Sequence, residues 1–205
     1  QICDMAHARG VEVMVDGAHA VAHFEFKISE LNCDYYGASL HKWLAVPLGV
    51  GILHVRKEKI AQIWPLIAEE GVPLTDIKHL NHVGTIPVHT DLAVDDAIDF
   101  YEKLGPARKE ARLRYLQNYW TTKVRAIPRV RLHHPADPTK SCAIANVGIE
   151  GMKPSDLAER LLKEYKIYTV AIDGGNIHGC RITPNVFTTL PELDVLVKAI
   201  SELAS

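Results

Sequence analysis

Apolar and polar positions follow two different rhythms along this chain, and the change falls near its middle. Residues 2–9 (ICDMAHAR) place Ile2, Met5 and Ala6 at helical spacing, and Gly10 predicts the stop. Val11 opens a β-branched run, 11–15 (VEVMV), that ends at Asp16-Gly17. Residues 34–39 (DYYGAS) predict a second strand and 50–55 (VGILHV) a third. Short, mostly apolar runs separated by helical or irregular segments suit a sheet covered on both faces. A short helix is predicted at 57–63, and Gly71, Pro73, Gly84 and Pro87 then break the pattern between Pro65 and Pro87. A helix is expected at about 90–104, with Leu92, Ala93, Ala97, Ile98 and Tyr101 on one face, and a longer one at about 107–126 beyond Gly105-Pro106.

The second rhythm is strand, helix, strand, strand, helix. Strands are predicted at 129–132, 142–149, 167–172 and 179–183. Helices are predicted at 154–165, opened by Pro154-Ser155-Asp156, and at 190–203, opened by Thr189 and Pro191. This is the pattern of a small α+β unit, so a boundary is expected near residue 105. A helix followed at once by a buried strand belongs to the middle of an α/β domain. The chain, which opens on Gln1, is therefore expected to be a fragment lacking its N-terminal part.

Composition narrows the classes. The chain has 205 residues, 47% apolar and 23% charged, which allows one large domain or two small ones. Lys plus Arg number 23 against 25 Asp plus Glu, with no basic block, so no nucleic-acid partner is expected. The apolar run Trp43–Val50 is far short of the roughly 20 residues of a membrane span, and there is no signal peptide, so no membrane partner is expected. Cys3, Cys33, Cys142 and Cys180 are scattered, the usage of a reducing compartment and hence the cytoplasm. His79, His82, His89, His133 and His134 show no metal-ligand spacing, and no metal is expected.

Two places carry candidate chemistry. Asp16 closes the first strand, and ligands of open α/β sheets gather at the carboxyl ends of strands. Alone, Asp16-Gly17 reads as a turn. Ser39-Leu40-His41-Lys42-Trp43 follows the second strand and gathers a hydroxyl, an imidazole and an amine. Lysine condenses with aldehydes when its surroundings make the amine nucleophilic. Alone, Lys42 reads as a solvated lysine beside a turn histidine. Together, Asp16 and Lys42 end neighbouring strands with one crossover between them.

VDGAHA (15–20), DYYGASLHKW (34–43) and PLGVGILHVRKEKI (47–60) resemble the class V family of fold-type I pyridoxal-phosphate (PLP) enzymes. That family includes cysteine desulfurases, isopenicillin N epimerase-like proteins and related carbon–sulfur lyases. Its signature is an Asp closing one strand and, 26 residues later, a Lys in a Ser-x-His-Lys context, as at Asp16 and Lys42. The resemblance implies that 1–105 are the C-terminal part of a mostly parallel, three-layer PLP-binding domain. It implies that 106–205 are the small α+β domain. Lys42 then holds the cofactor as a Schiff base, and a buried Asp16 keeps the ring nitrogen protonated, making the ring an electron sink. The resemblance likewise implies that Ser39 and His41 bind the phosphate. His19 stands where desulfurases carry a Gln that bonds the ring hydroxyl, and DGAH with HKW resembles the epimerase-like branch. VGTIP (83–87) resembles the family's Gly-Thr motif, which implies that Thr85 reaches the phosphate of a neighbouring subunit in a homodimer. CRITPNVFTTLPELDVLVKAI (180–200) resembles the family's closing segment and makes Arg181 the clamp for the substrate carboxylate.

The implied reaction starts with removal of the α-proton of an amino acid by Lys42. Desulfuration is disfavoured, because the stretch that would carry a sulfur-accepting Cys, IDGGNIHG (172–179), has none. An epimerase-like enzyme or a carbon–sulfur lyase is expected, with transamination, or a non-catalytic scaffold, as the alternatives. Relatives draw ring-stacking and phosphate contacts from an N-terminal half, so the fragment alone is expected to be inactive and to hold PLP weakly or not at all.

Overall fold

The computed structural model describes residues 1–67, 71–81, 84–85 and 87–205, which form two compact units, Gln1–Pro106 and Ala107–Ser205. In the first unit, helix α1 (Ile2–His7) buries Cys3 and ends in a turn closed by Gly10 at φ +70°. Strand β1 (Met14–Asp16) runs parallel to β2 (Tyr35–Ser39), and β3 (Gly51–Val55) pairs antiparallel on the other side of β2. A mostly parallel sheet is expected from the sequence; in this unit one of the two pairings is parallel and the other antiparallel. The crossover from β1 to β2 carries a four-residue helix, α2 (Ile28–Leu31), which the sequence pattern does not reveal. The expected helix at 57–63 is a 3-10 helix, Lys57–Gln62.

Strand β1 starts three residues later than the apolar run suggests. Asp34 is the reason. Its buried carboxylate accepts the backbone N–H of Val13 at 2.8 Å, and Val13 C=O accepts from Asp34 and Tyr35, so ladder pairing begins only at Met14↔Tyr35. His7 Nε2 also meets Asp34 at 2.7 Å, and Arg56 lies 3.8 Å away. The hydrogen bond with His7, then that from Val13, with the Arg56 charge added, holds the Asp34 carboxyl below the ordinary carboxylate range.

Helix α3 (Val88–Leu104) closes the first unit. Ala93, Ala97 and Tyr101 of its expected face are half-buried, whereas Leu92 and Ile98 are exposed. Among the described residues no helix is long and apolar enough to cross a membrane.

The second unit is an antiparallel sheet of order β4-β5-β7-β6, formed by Val130–Leu132, Ala145–Ile149, Ile177–Ile182 and Val170–Gly174 respectively. Strand alternation sends Val130, Ala145, Val147, Ile149, Cys180 and Ile182 to one face. There they share one core with Leu116, Trp120 and Val124 of α4 (Pro106–Val124), Leu157 and Leu161 of α5 (Pro154–Tyr165), and Leu196 and Ile200 of α6 (Leu190–Ala204). Helix α6 opens with a capping box, in which Thr189 and Glu192 each accept the other's backbone N–H. The opposite face of β5 and β7 carries Asn146, Gly148, Gly179 and Arg181.

Candidate active site

Because β1 and β2 are parallel, their carboxyl ends share one edge of the sheet, and the loops leaving them meet there. A cleft of about 710 Å³ opens at this edge. It is lined by Met14, Asp16, Ala18, Gly37, Ala38, Ser39 and Lys42, so a carboxylate, a hydroxyl and a primary amine face one space. Its volume lies within the roughly 300–1,000 Å³ usual for small-molecule sites.

Asp16 does two things at once. Its Oδ1 accepts the backbone N–H of Ala18 at 3.0 Å, the turn role that the dipeptide suggests, while the residue remains exposed beside the cleft. A buried Asp16 is expected from the resemblance; among the described residues Asp16 is exposed, at the end of a strand paired on one side by β2. Gly17 is required by packing. A Cβ there would fall 1.9 Å from the ring of Tyr36, which is 1% exposed and donates its hydroxyl to Gly17 C=O at 3.4 Å. The ring of one strand's residue thus fills the space beneath the turn that ends its neighbour.

Lys42 is half-buried and has no hydrogen-bond or ion-pair partner among the described residues. Ser39 ends β2, and His41 lies in the turn that follows, half-buried like Lys42. The next residue, Trp43, joins the two loops. Its indole N–H donates to His19 Nδ1 at 3.4 Å, and its ring stacks on His23 at 4.0 Å with an interplanar angle of 3°. His23 Nδ1 in turn meets His19 C=O at 2.9 Å. An indole N–H can only donate, so Nδ1 of His19 is the acceptor in this contact, which holds the imidazole against Trp43. Ala22 at φ +58° and Ala45 at φ +63° hold left-handed backbone in the same two loops, the kind of strain that gathers at functional sites. Trp43 and His23 are the site residues to which sequence reasoning gives no role; the aromatic directly after the Lys-bearing turn is the signal that could have found Trp43.

Thr85 is exposed in a bend after Gly84, while Val83 and Ile86 of the same motif lie outside the described residues, as does His82. Arg181 belongs to the second unit, half-buried on β7. His79 is buried, with Nδ1 on Asp76 C=O at 2.7 Å, a structural role. Burial, with the charge of Arg125 added, pushes His134 below the ordinary imidazole range.

Comparison with known proteins agrees with the motifs. The family model for Aminotransferase class-V matches residues 1–182. Isopenicillin N epimerase of Streptomyces clavuligerus is 29% identical over 220 residues, which cover 99% of this chain and 55% of that protein. A probable cysteine desulfurase of Halobacterium salinarum is 24% identical over 223 residues, covering 98% of this chain and 52% of that protein. Among solved structures, the apo cysteine desulfurase from Thermococcus onnurineus NA1 superposes with a TM-score of 0.84 at 22% identity, over 99% of this chain and 55% of that one. The chain thus spans about half the length of the curated relatives it matches.

Proposed function

The chain belongs to the class V aminotransferase family of PLP enzymes, and on that premise we propose that it is the lysine-bearing part of an enzyme acting on an amino acid, either an isopenicillin N epimerase-like epimerase or a carbon–sulfur lyase. In this reading residues 1–105 are the C-terminal part of the large cofactor domain and 106–205 the small domain. The observation that carries it is the convergence of Asp16, Ser39 and Lys42 on one cleft at the carboxyl edge of two parallel strands.

The residues present fit an aromatic aldehyde that bears a phosphate. The cleft has the volume, Lys42 brings an amine with no carboxylate partner among the described residues, and Asp16 keeps Oδ2 for a cationic ring N–H while Oδ1 holds the turn. Ser39 and His41 supply donors for a phosphate, joined by Thr85 of a second subunit in a homodimer. His19, held by Trp43, hydrogen-bonds the ring hydroxyl. Arg181 pairs with the substrate carboxylate. When bound, PLP supplies an electron sink for charge developing at the substrate α-carbon. The amine of Lys42 would remove the substrate α-proton as a general base.

Sulfur transfer to the protein is disfavoured on structural grounds. The stretch 172–179 folds as a tight hairpin in which only Gly175 and Asn176 separate β6 from β7, with Gly175 at φ +59°. It carries no thiol. All four cysteines are buried, and burial pushes the Cys180 thiol above its ordinary range, away from the nucleophilic thiolate. This supports epimerisation or elimination over desulfuration.

The test uses the complete gene product incubated with PLP. Visible cofactor absorbance, borohydride trapping of a pyridoxyl group on Lys42, and loss of both in Lys42→Ala are expected. A panel of amino acids is then scored for loss of chirality and for pyruvate and sulfide. A colourless protein that traps no cofactor sinks the reading.

A further inference from the structure

Seven described residues line the cleft at the carboxyl edge of β1 and β2, and their side chains divide sharply. Asp16, Ser39 and Lys42 are polar and already have parts in the proposed chemistry. Ala18, Gly37 and Ala38 offer a methyl group or nothing. Met14 alone brings a long apolar side chain. It is 64% exposed, so a thioether that gains by burial stands uncovered where a small-molecule cleft needs an apolar surface. Strand geometry places it there. Met14 and Asp16 are two residues apart on β1 and share one face, and Gly37, the register partner of Asp16, lies on that face too. A Cβ on Gly37 would meet the terminal methyl of Met14 at 3.3 Å. Beyond its chain neighbours it would meet no other heavy atom of the described residues within 4 Å. The space above Gly37 is thus open, with the end of Met14 at its border and Asp16 beside it. Leu53 pairs with Gly37 from the β3 side and is 51% exposed, yet it is not one of the described residues that line the cleft. What sets Met14 apart is its place in the cleft, not its exposure.

We propose that Met14 is a further cofactor-binding residue, whose thioether packs against the aromatic ring held by Asp16 and Lys42, with Gly37 leaving the room for it. The inference rests on the reading of the cleft as a PLP site and adds a contact that no motif assigns. A flexible, polarizable thioether adapts to the edge or face of an aromatic ring, and the sulfur–aromatic contact adds to the ordinary gain from apolar burial. Asp16, Lys42 and Ser39 orient the ring through its nitrogen, its aldehyde and its phosphate. Met14 supplies the apolar contact that none of them can.

The experiment uses the complete gene product, stripped of cofactor and titrated with PLP. Dissociation constants are read from the change in cofactor absorbance, and the melting temperature of the cofactor-free protein is read in parallel. Met14→Ala is expected to weaken PLP binding about fivefold, the order of a sulfur–aromatic contact. Its cofactor-free form melts at the parent's temperature, because an exposed side chain contributes little to folding. Met14→Leu keeps the apolar volume and retains most of the affinity, whereas Met14→Gln, similar in length but polar, loses it as Met14→Ala does. Leu53→Ala leaves the dissociation constant unchanged. Unchanged binding in Met14→Ala overturns the proposal. So does weakened binding together with a lower melting temperature of the cofactor-free protein, which would show Met14 to be a folding contact. An equal loss in Leu53→Ala overturns it as well. The parent and Lys42→Ala keep the two readings apart. A parent that binds no PLP sinks both; a parent that binds PLP through Lys42, with Met14→Ala binding equally well, sinks this inference alone.

Discussion

The two units of this chain handle the same physical problem, a sheet with a face to cover, in opposite ways. The second unit backs β4, β5 and β7 with three helices, and Trp120, Val124, Val147, Leu161 and Ile200 are fully buried in one contiguous core. In the first unit the core around β1 and β2 gathers Cys3, Cys33 and Tyr36, while Met14, Ile52 and Leu53 of its strands are exposed. The proposed cofactor residues belong to the unit that buries fewer apolar side chains among the described residues. Sites that must open to a ligand are drawn from regions of lower local stability. The difference predicts that stability and cofactor chemistry separate between the units under mutation.

The largest effect expected is on the second unit. Trp120→Ala removes a side chain with no exposed surface and should cost about 3–5 kcal/mol, read as a shift in the denaturant midpoint. Ile52→Ala, on an exposed strand of the first unit, should change stability by no more than about 0.5 kcal/mol. Equal losses would break the comparison. Next in size is Gly17→Ala, whose Cβ meets the buried Tyr36 ring and should cost about 1–3 kcal/mol by overpacking. Because it also displaces the Asp16 turn, it should abolish cofactor absorbance, which Trp120→Ala should leave in the fraction that remains folded.

The smallest effect is on pH dependence. The folded-state pKa of Asp34 is depressed, so its stabilisation is fully present above the unfolded value of about 3.9 and is lost as pH falls through the lower folded value. Hydrogen exchange of the first unit should therefore accelerate below about pH 4. Asp34→Asn should flatten that response without altering the second unit. A variant with the parent's acid profile would place the acid-sensitive group elsewhere.

The misplaced strand ends show where legibility fails. The strand expected at 142–149 begins only at Ala145, because side chains of α4 take the carbonyls before it: Gln117 donates to Ile144 C=O at 2.8 Å, and Arg114 donates to Ser141 C=O. The strand expected at 167–172 runs instead from Val170 to Gly174. Lys166, at φ +61°, ends α5, and Ile167 N–H is used on Leu161 C=O. In both cases an apolar run names the residues that will be covered, whereas a distant donor or acceptor decides which of them join the ladder.

By itself the sequence determined the order of the seven strands and of the longer helices, and the placing of Asp16 and Lys42 at the ends of neighbouring strands. Those features follow from local periodicity, turn chemistry and short-range spacing. Tertiary structure alone decided that Tyr36 sits under Gly17, that Trp43 clasps His19, and that Asn146 stands opposite Arg181 with its amide unpaired. Each of these pairs residues that lie 19, 24 or 35 positions apart. At such separations strand register and close packing select the partner, whereas alternation along each strand fixes only which face a residue takes and so constrains register to steps of two.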